Sequence, residues 1–95
     1  MDNPLLQQLE MVERLAKAGT IGLSAARLCE DAGISLATLK RYLAELRHLG
    51  ARIESYGGGR GPWHYRLRNW QQIEKTVTAW LRLERARSFT ELDCG

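Results

Sequence analysis

The 95-residue chain is long enough for one compact domain and short for two. Its 44% hydrophobic and 26% charged content is typical of a globular protein and excludes wholesale disorder. The net charge of +3 is unevenly spread: residues 1–34 carry −2, residues 35–69 carry +5, and residues 70–95 are neutral. A basic excess confined to one contiguous third of a chain indicates a polyanionic partner.

Several protein classes do not fit this composition. No apolar run approaches the roughly 18 residues of a membrane span, and the acidic, amphipathic start does not resemble a secretory signal. The two cysteines, Cys29 and Cys94, are too few for a disulfide framework and are not clustered as metal ligands are. We therefore expect a cytoplasmic protein without a membrane segment, a metal, another cofactor or a small-molecule ligand.

The N-terminal half predicts three helices. Apolar residues recur at helical spacing from Asn3 to Ala18, with Gly19 as the stop. "TIGL", residues 20–23, is a connector or a one-bridge strand. Ser24 caps a second helix that ends at Gly33, and Ser35 caps a third that runs from Leu36 to about His48. Leu39, Leu43 and Leu46 mark the core stripe of that third helix.

The C-terminal half predicts a β-hairpin and a further helix. Residues 51–56 and 63–68 alternate between apolar and polar side chains around "GGGRGP", which predicts a hairpin with a long tip. In that alternation Trp63, Tyr65 and Leu67 are predicted to face the core. Residues 70–88 then show helical periodicity, with Trp70 expected in the domain core. The order predicts a mainly α fold with a small β-hairpin: a helix-turn-helix followed by a wing and an added C-terminal helix.

The stretch from Gly22 to Arg68 resembles a known protein family. It looks like a winged helix-turn-helix of the DeoR type and is especially similar to the N-terminal DNA-binding domain of WYL-domain regulators. The residues that match the motif are Ser24, Leu28, Cys29, Gly33, Ile34, Ser35, Thr38, Leu39, Arg41, Leu43, Leu46, Gly50, Ile53, Glu54, Tyr65 and Leu67. The resemblance implies a winged helix-turn-helix domain over residues 1–69. We expect residues 70–88 to form a helix that packs on the domain or dimerises, and residues 89–95 to form a flexible tail.

The expected function is that of a sequence-specific regulator of transcription, a repressor that binds double-stranded DNA. Its recognition helix, residues 35–48, would enter the major groove, and its glycine-rich wing, residues 56–63, would reach the adjacent minor groove or backbone. The predicted DNA-binding residues are Ser35, Leu36, Ala37, Thr38, Lys40, Arg41 and Arg60. Lys40 and Arg41 suit guanine or phosphate, and Leu36 and Ala37 suit a thymine methyl. The alternatives are that Ser35 is only a helix cap and that the three cations are merely solvated.

The sequence alone does not decide between several functions or between a monomer and a dimer. The tentative dimerisation residues are Trp80, Leu81 and Leu83, so a homodimer is expected, with a monomer as the alternative. A winged helix that binds an acidic protein surface as an adaptor or inhibitor is the main rival, and structured RNA is a third possible partner. "GGGRG" lacks the lysine and hydroxyl residue of a nucleotide-binding loop, and no catalytic constellation is present, so we expect no enzymatic activity.

Overall fold

The computed structural model describes residues 3–59 and 61–93, with side chains described through Arg87. The chain forms four helices and three strands. In chain order they are α1 (Pro4–Ala18), β1 (Leu23–Ser24), α2 (Ala25–Ala32), α3 (Leu36–His48), β2 (Ile53–Gly57), β3 (Trp63–Leu67) and α4 (Trp70–Asp93). The predicted fold class, mainly α with a small sheet, is confirmed.

Short polar side chains cap the N-termini of the first three helices, as the sequence predicts. The side chain of Asn3 accepts a hydrogen bond from the Leu6 amide, and Ser24 and Ser35 do the same for α2 and α3. Gly33 ends α2 in the left-handed conformation, with φ of 66°. Because Ser35 follows two residues later, the turn between α2 and α3 is tight, as a helix-turn-helix requires.

The sheet is antiparallel and has the strand order β1-β3-β2. Residues 20–23 are expected to be a connector or a one-bridge strand; a short strand forms at Leu23 and Ser24, which pair with Tyr65 and His64 of β3. The hairpin strands begin and end within about two residues of their predicted limits. The first starts at Ile53 rather than at residue 51, since the Ala51 amide donates to the Leu46 carbonyl and so closes the C-terminus of α3.

Gly22 allows β1 to approach β3 closely. A Cβ at this position would lie 2.1 Å from the carbonyl oxygen of Tyr65, and the backbone φ is +70°. Only glycine tolerates both conditions. The residue therefore joins the helical half of the domain to the second strand of the hairpin.

The core lies between the sheet and the helices, and α4 closes it by packing on α1. The two helices are antiparallel: Glu84 of α4 accepts a hydrogen bond from Asn3, which precedes α1. Trp70 packs against the core as expected. The predicted end of the last helix at residue 88 is too early, because α4 continues through Asp93. No glycine or proline occurs between residues 62 and 95 to stop it, and residues 94–95 lie outside the described part.

None of the helices within the described ranges is long and apolar enough to cross a membrane. Among those same residues, no group of three or more potential metal ligands comes together.

Candidate nucleic-acid interface

The first turn of α3 is capped and exposed. The Ser35 hydroxyl oxygen accepts a hydrogen bond from the Thr38 amide at 3.2 Å and donates to the Thr38 hydroxyl at 3.1 Å. Ser35 is therefore a helix cap, as predicted. The amides of a helix N-terminus attract anions, and the two hydroxyls lie beside them.

The other predicted residues of α3 share one exposed face. Leu36, Ala37, Lys40 and Arg41 are all exposed, Leu36 with half of its surface accessible (51%). At about 100° per residue they cover an arc of about 140°. The buried residues of α3 occupy the opposite side and are Leu39, Tyr42, Leu43 and Leu46. The structure thus brings together six of the seven predicted DNA-binding residues, the pair Ser35 and Thr38 included.

Polar contacts with α1 hold α3 in position. The Tyr42 hydroxyl donates to the Gln7 side-chain oxygen at 2.9 Å. The Gln8 side-chain amide donates to the Glu45 carboxylate. Glu45 lies one turn after Arg41, a spacing at which the two could pair, but its carboxylate is turned toward α1 instead. Arg41 keeps an exposed guanidinium, which lies 5.9 Å from the Tyr42 ring centroid.

The outer face of the hairpin carries a network of aromatic and charged side chains. Tyr56 and His64 stack with their ring centroids 5.3 Å apart, and the Arg66 guanidinium lies 4.9 Å from the Tyr56 ring centroid. The Tyr56 hydroxyl donates to the Ile21 carbonyl. These contacts fix the hairpin on the segment that precedes β1, and His64 has a packing role there.

Glu54 binds two of the arginines in the basic third of the chain. Arg66 Nε donates to Glu54 Oε1 at 3.2 Å, and Arg68 Nε lies 3.6 Å from Glu54 Oε2. The hydrogen bond from Arg66, with the positive charges of Arg66 and Arg68, lowers the pKa of the Glu54 carboxyl. The carboxylate therefore stays ionised at neutral pH and offsets part of the local positive charge.

The tip of the wing is built from glycines in conformations that other residues avoid. Gly57, Gly58 and Gly59 have φ of 92°, 82° and 59°. Arg60 lies outside the described residues, so its contact with DNA stays a prediction. Trp63 does not face the core as expected: 53% of its surface is exposed.

Trp63 lies at the hairpin end, beyond the core. Its ring packs on the backbone of Gly58, where a Cβ would lie 2.7 Å from the ring. Gly57 is the cross-strand partner of Trp63, and the ring lies on the next glycine of the tip, where no side chain stands in its way.

The predicted dimerisation residues divide into two groups. Leu81 is 2% exposed and belongs to the core, so its predicted place at an interface is wrong. Its position lies on the side of α4 that packs on α1, along with Val77. Trp80 and Leu83 are exposed, Leu83 at 63%, and lie beside Leu5 in a shallow apolar hollow.

Asn69 is a structural residue that the sequence reasoning missed. Its side-chain oxygen accepts from the Arg52 amide at 2.8 Å, and its side-chain nitrogen donates to the Gly50 carbonyl at 2.9 Å. These bonds join the segment after α3 to the start of α4. An asparagine directly before a predicted helix suggests an N-cap, whereas here the side chain bonds to the segment after α3.

The fold and this exposed, capped helix define a winged helix-turn-helix protein. The strand order β1-β3-β2, with α2 and α3 between β1 and β2, is the arrangement that the class requires. A family model described as "HTH domain" matches residues 7–61, which is more than half of the chain. The chain therefore belongs to this family of DNA-binding helix-turn-helix domains. Neither a curated protein nor a solved structure matches it.

Proposed function

We propose that the protein is a sequence-specific repressor of transcription, of the DeoR type and similar to the DNA-binding domain of WYL-domain regulators. The observation that carries the proposal is the exposed face of α3, where two cations and two apolar side chains surround a capped helix N-terminus. A surface of this size and composition fits the major groove of duplex DNA. In the cytoplasm, the protein bound to its DNA site would exclude competing proteins from that site and so repress transcription.

Each residue of this face has a role in the proposal. Lys40 donates to guanine O6 and N7, while Arg41 binds a guanine or a backbone phosphate. Leu36 and Ala37 contact thymine methyl groups. Ser35 and Thr38 lie where the first amides of α3 would receive a phosphate, which positions the helix without reading sequence.

The wing supplies the second contact in the proposal. Arg60 at its tip would enter a narrow, negatively charged minor groove or contact its phosphates. Because such a contact reads shape and charge, Arg60→Ala should weaken binding to many sequences alike. Lys40→Ala should instead change the preferred sequence and cost about 1–3 kcal/mol at the preferred site.

A homodimer completes the proposal. Trp80 and Leu83 are exposed apolar residues that lie beside the partly buried Leu5, at the edge of the contact between α4 and α1. Pairing two copies through this surface would present two recognition helices. Dimeric helix-turn-helix proteins bind half-sites about one helical turn apart and gain affinity from the second contact.

Selection of bound duplexes from a random pool tests the function. We expect enrichment of one short motif, and a different or relaxed motif when the pool is selected with Lys40→Ala. Lys75→Ala is the matched control, since Lys75 is an exposed cation on α4. If no sequence is enriched over unrelated polyanions, the protein is not a sequence-specific regulator.

A further inference from the structure

A groove lies between the C-terminal end of α3 and β2, outside the face described above. Arg47, Arg52, Glu54 and Arg68 supply its charged lining. The strand β2 is at the edge of the sheet, so no further strand covers this side in the described part of the chain. Three guanidinium groups thus share one groove with one carboxylate.

The arginines of the groove differ in how they are held. Arg47 Nε donates to the Ile53 carbonyl at 3.0 Å, which fixes the guanidinium against β2. Arg52 is exposed, and neither it nor Arg47 has a carboxylate partner among the described residues. Only Arg68 is paired in the groove, and its partner Glu54 also binds Arg66. Two of the three cations are therefore available to an anion.

The groove lies on the same side of α3 as the proposed base-reading residue. Arg47 follows Lys40 by seven residues, which is two helical turns, and the two positions differ by only about 20° around the axis. Along the axis they are about 10.5 Å apart. The major groove is about 12 Å wide, so a helix with Lys40 against the bases carries Arg47 toward a flanking phosphate.

We propose that this arginine groove binds the sugar–phosphate backbone of duplex DNA beside the bases contacted by α3, and that Glu54 limits its affinity. The inference rests on the proposed function for the position of the DNA. Arginine forks bind phosphate oxygens through paired N–H groups, and Arg47 is already oriented by β2. Glu54 repels phosphates and holds Arg66 and Arg68, which restrains binding that does not depend on sequence.

The test uses a mixed-sequence DNA duplex of about two helical turns and the salt dependence of its affinity. Affinity falls as the salt concentration rises, and each cation that contacts a phosphate makes the slope of log affinity against log salt steeper by about 0.9. Arg52→Ala should make this slope shallower by about 0.9. Its backbone bond to Asn69 is unaffected by this substitution. Lys75→Ala, which removes the same charge from α4, should leave the slope unchanged.

Glu54→Gln provides the opposite change. It releases Arg66 and Arg68, so the slope should become steeper by about 0.9–1.8. The affinity for the duplex at low salt should increase roughly threefold or more. Glu74→Gln, an exposed position on α4, adds the same charge away from the groove and should have little effect. The motif selected from a random pool should be the same for Glu54→Gln as for the unmodified protein.

The inference is overturned if Arg52→Ala matches Lys75→Ala and Glu54→Gln matches Glu74→Gln. It is also overturned if Arg52→Ala weakens binding to polyglutamate but not to the duplex, which would assign the groove to an acidic protein. These outcomes are separate from failure of the proposed function, because slopes on a mixed-sequence duplex do not depend on motif enrichment.

Discussion

Replacing Gly22 by alanine is expected to disrupt the junction between β1 and the wing. The added Cβ would lie 2.1 Å from the Tyr65 carbonyl oxygen, well inside the 3.0 Å that real Cβ atoms essentially never go below. The atom it meets belongs to the backbone of β3 and cannot rotate away. β1 and β3 must therefore separate, which weakens the pairing of Leu23 and Ser24 with β3.

The size of the effect follows from two contributions. A non-glycine residue at φ of +70° costs about 1–2 kcal/mol. Weakened hydrogen bonds between β1 and β3 add about 1–3 kcal/mol. The free energy of unfolding should therefore fall by about 2–5 kcal/mol, and at about 4–8 °C per kcal/mol the midpoint of thermal unfolding should fall by at least about 8 °C.

Thermal and urea unfolding followed by circular dichroism measure this loss, with Gly33→Ala as the control. Gly33 has a similar φ of +66°, but a Cβ there meets nothing within 4 Å. Its replacement should cost only the conformational contribution of about 1–2 kcal/mol. If both variants lose the same stability, the close approach of Gly22 to Tyr65 does not contribute to stability and the reasoning fails.

Three further predictions concern other parts of the fold. Asn69→Ala leaves the Gly50 carbonyl and the Arg52 amide without their side-chain partner, and chemical unfolding should show a loss of about 2–4 kcal/mol. A small loss would mean that water replaces these bonds. Gly58→Ala should displace the Trp63 ring and shift its resonance in ¹⁹F NMR of fluorotryptophan-labelled protein, whereas Gly59→Ala, with open space around its Cβ, should not. Leu83→Glu should convert a dimer to monomer in sedimentation without loss of thermal stability; an unchanged mass would exclude Leu83 from the interface.

The helices were predictable because their signals are local. Ser24, Gly33 and Ser35 are capping residues whose effect depends on the neighbouring backbone alone. The exposed face of α3 followed from its periodicity, since the core stripe of Leu39, Leu43 and Leu46 leaves the opposite side to solvent. The whole of the helix-turn-helix could therefore be read from the sequence.

The errors in side-chain placement concern residues whose position depends on distant parts of the chain. Alternation places Trp63 on the core side of the sheet, but only the length of the hairpin shows that the core ends before it. Leu81 is buried because α4 packs antiparallel on α1, which periodicity alone does not specify. Glu45 is equally compatible with Arg41 or Gln8, and the packing of α1 selects Gln8.

The most direct test of the account is an NMR titration of the protein with its selected duplex, following the backbone amides. The account predicts that the largest shifts occur at residues 35–41 and at the wing, with smaller shifts along the exposed side of α4. Shifts concentrated on α4 with residues 35–41 unchanged would contradict it, because the DNA would then bind a different surface.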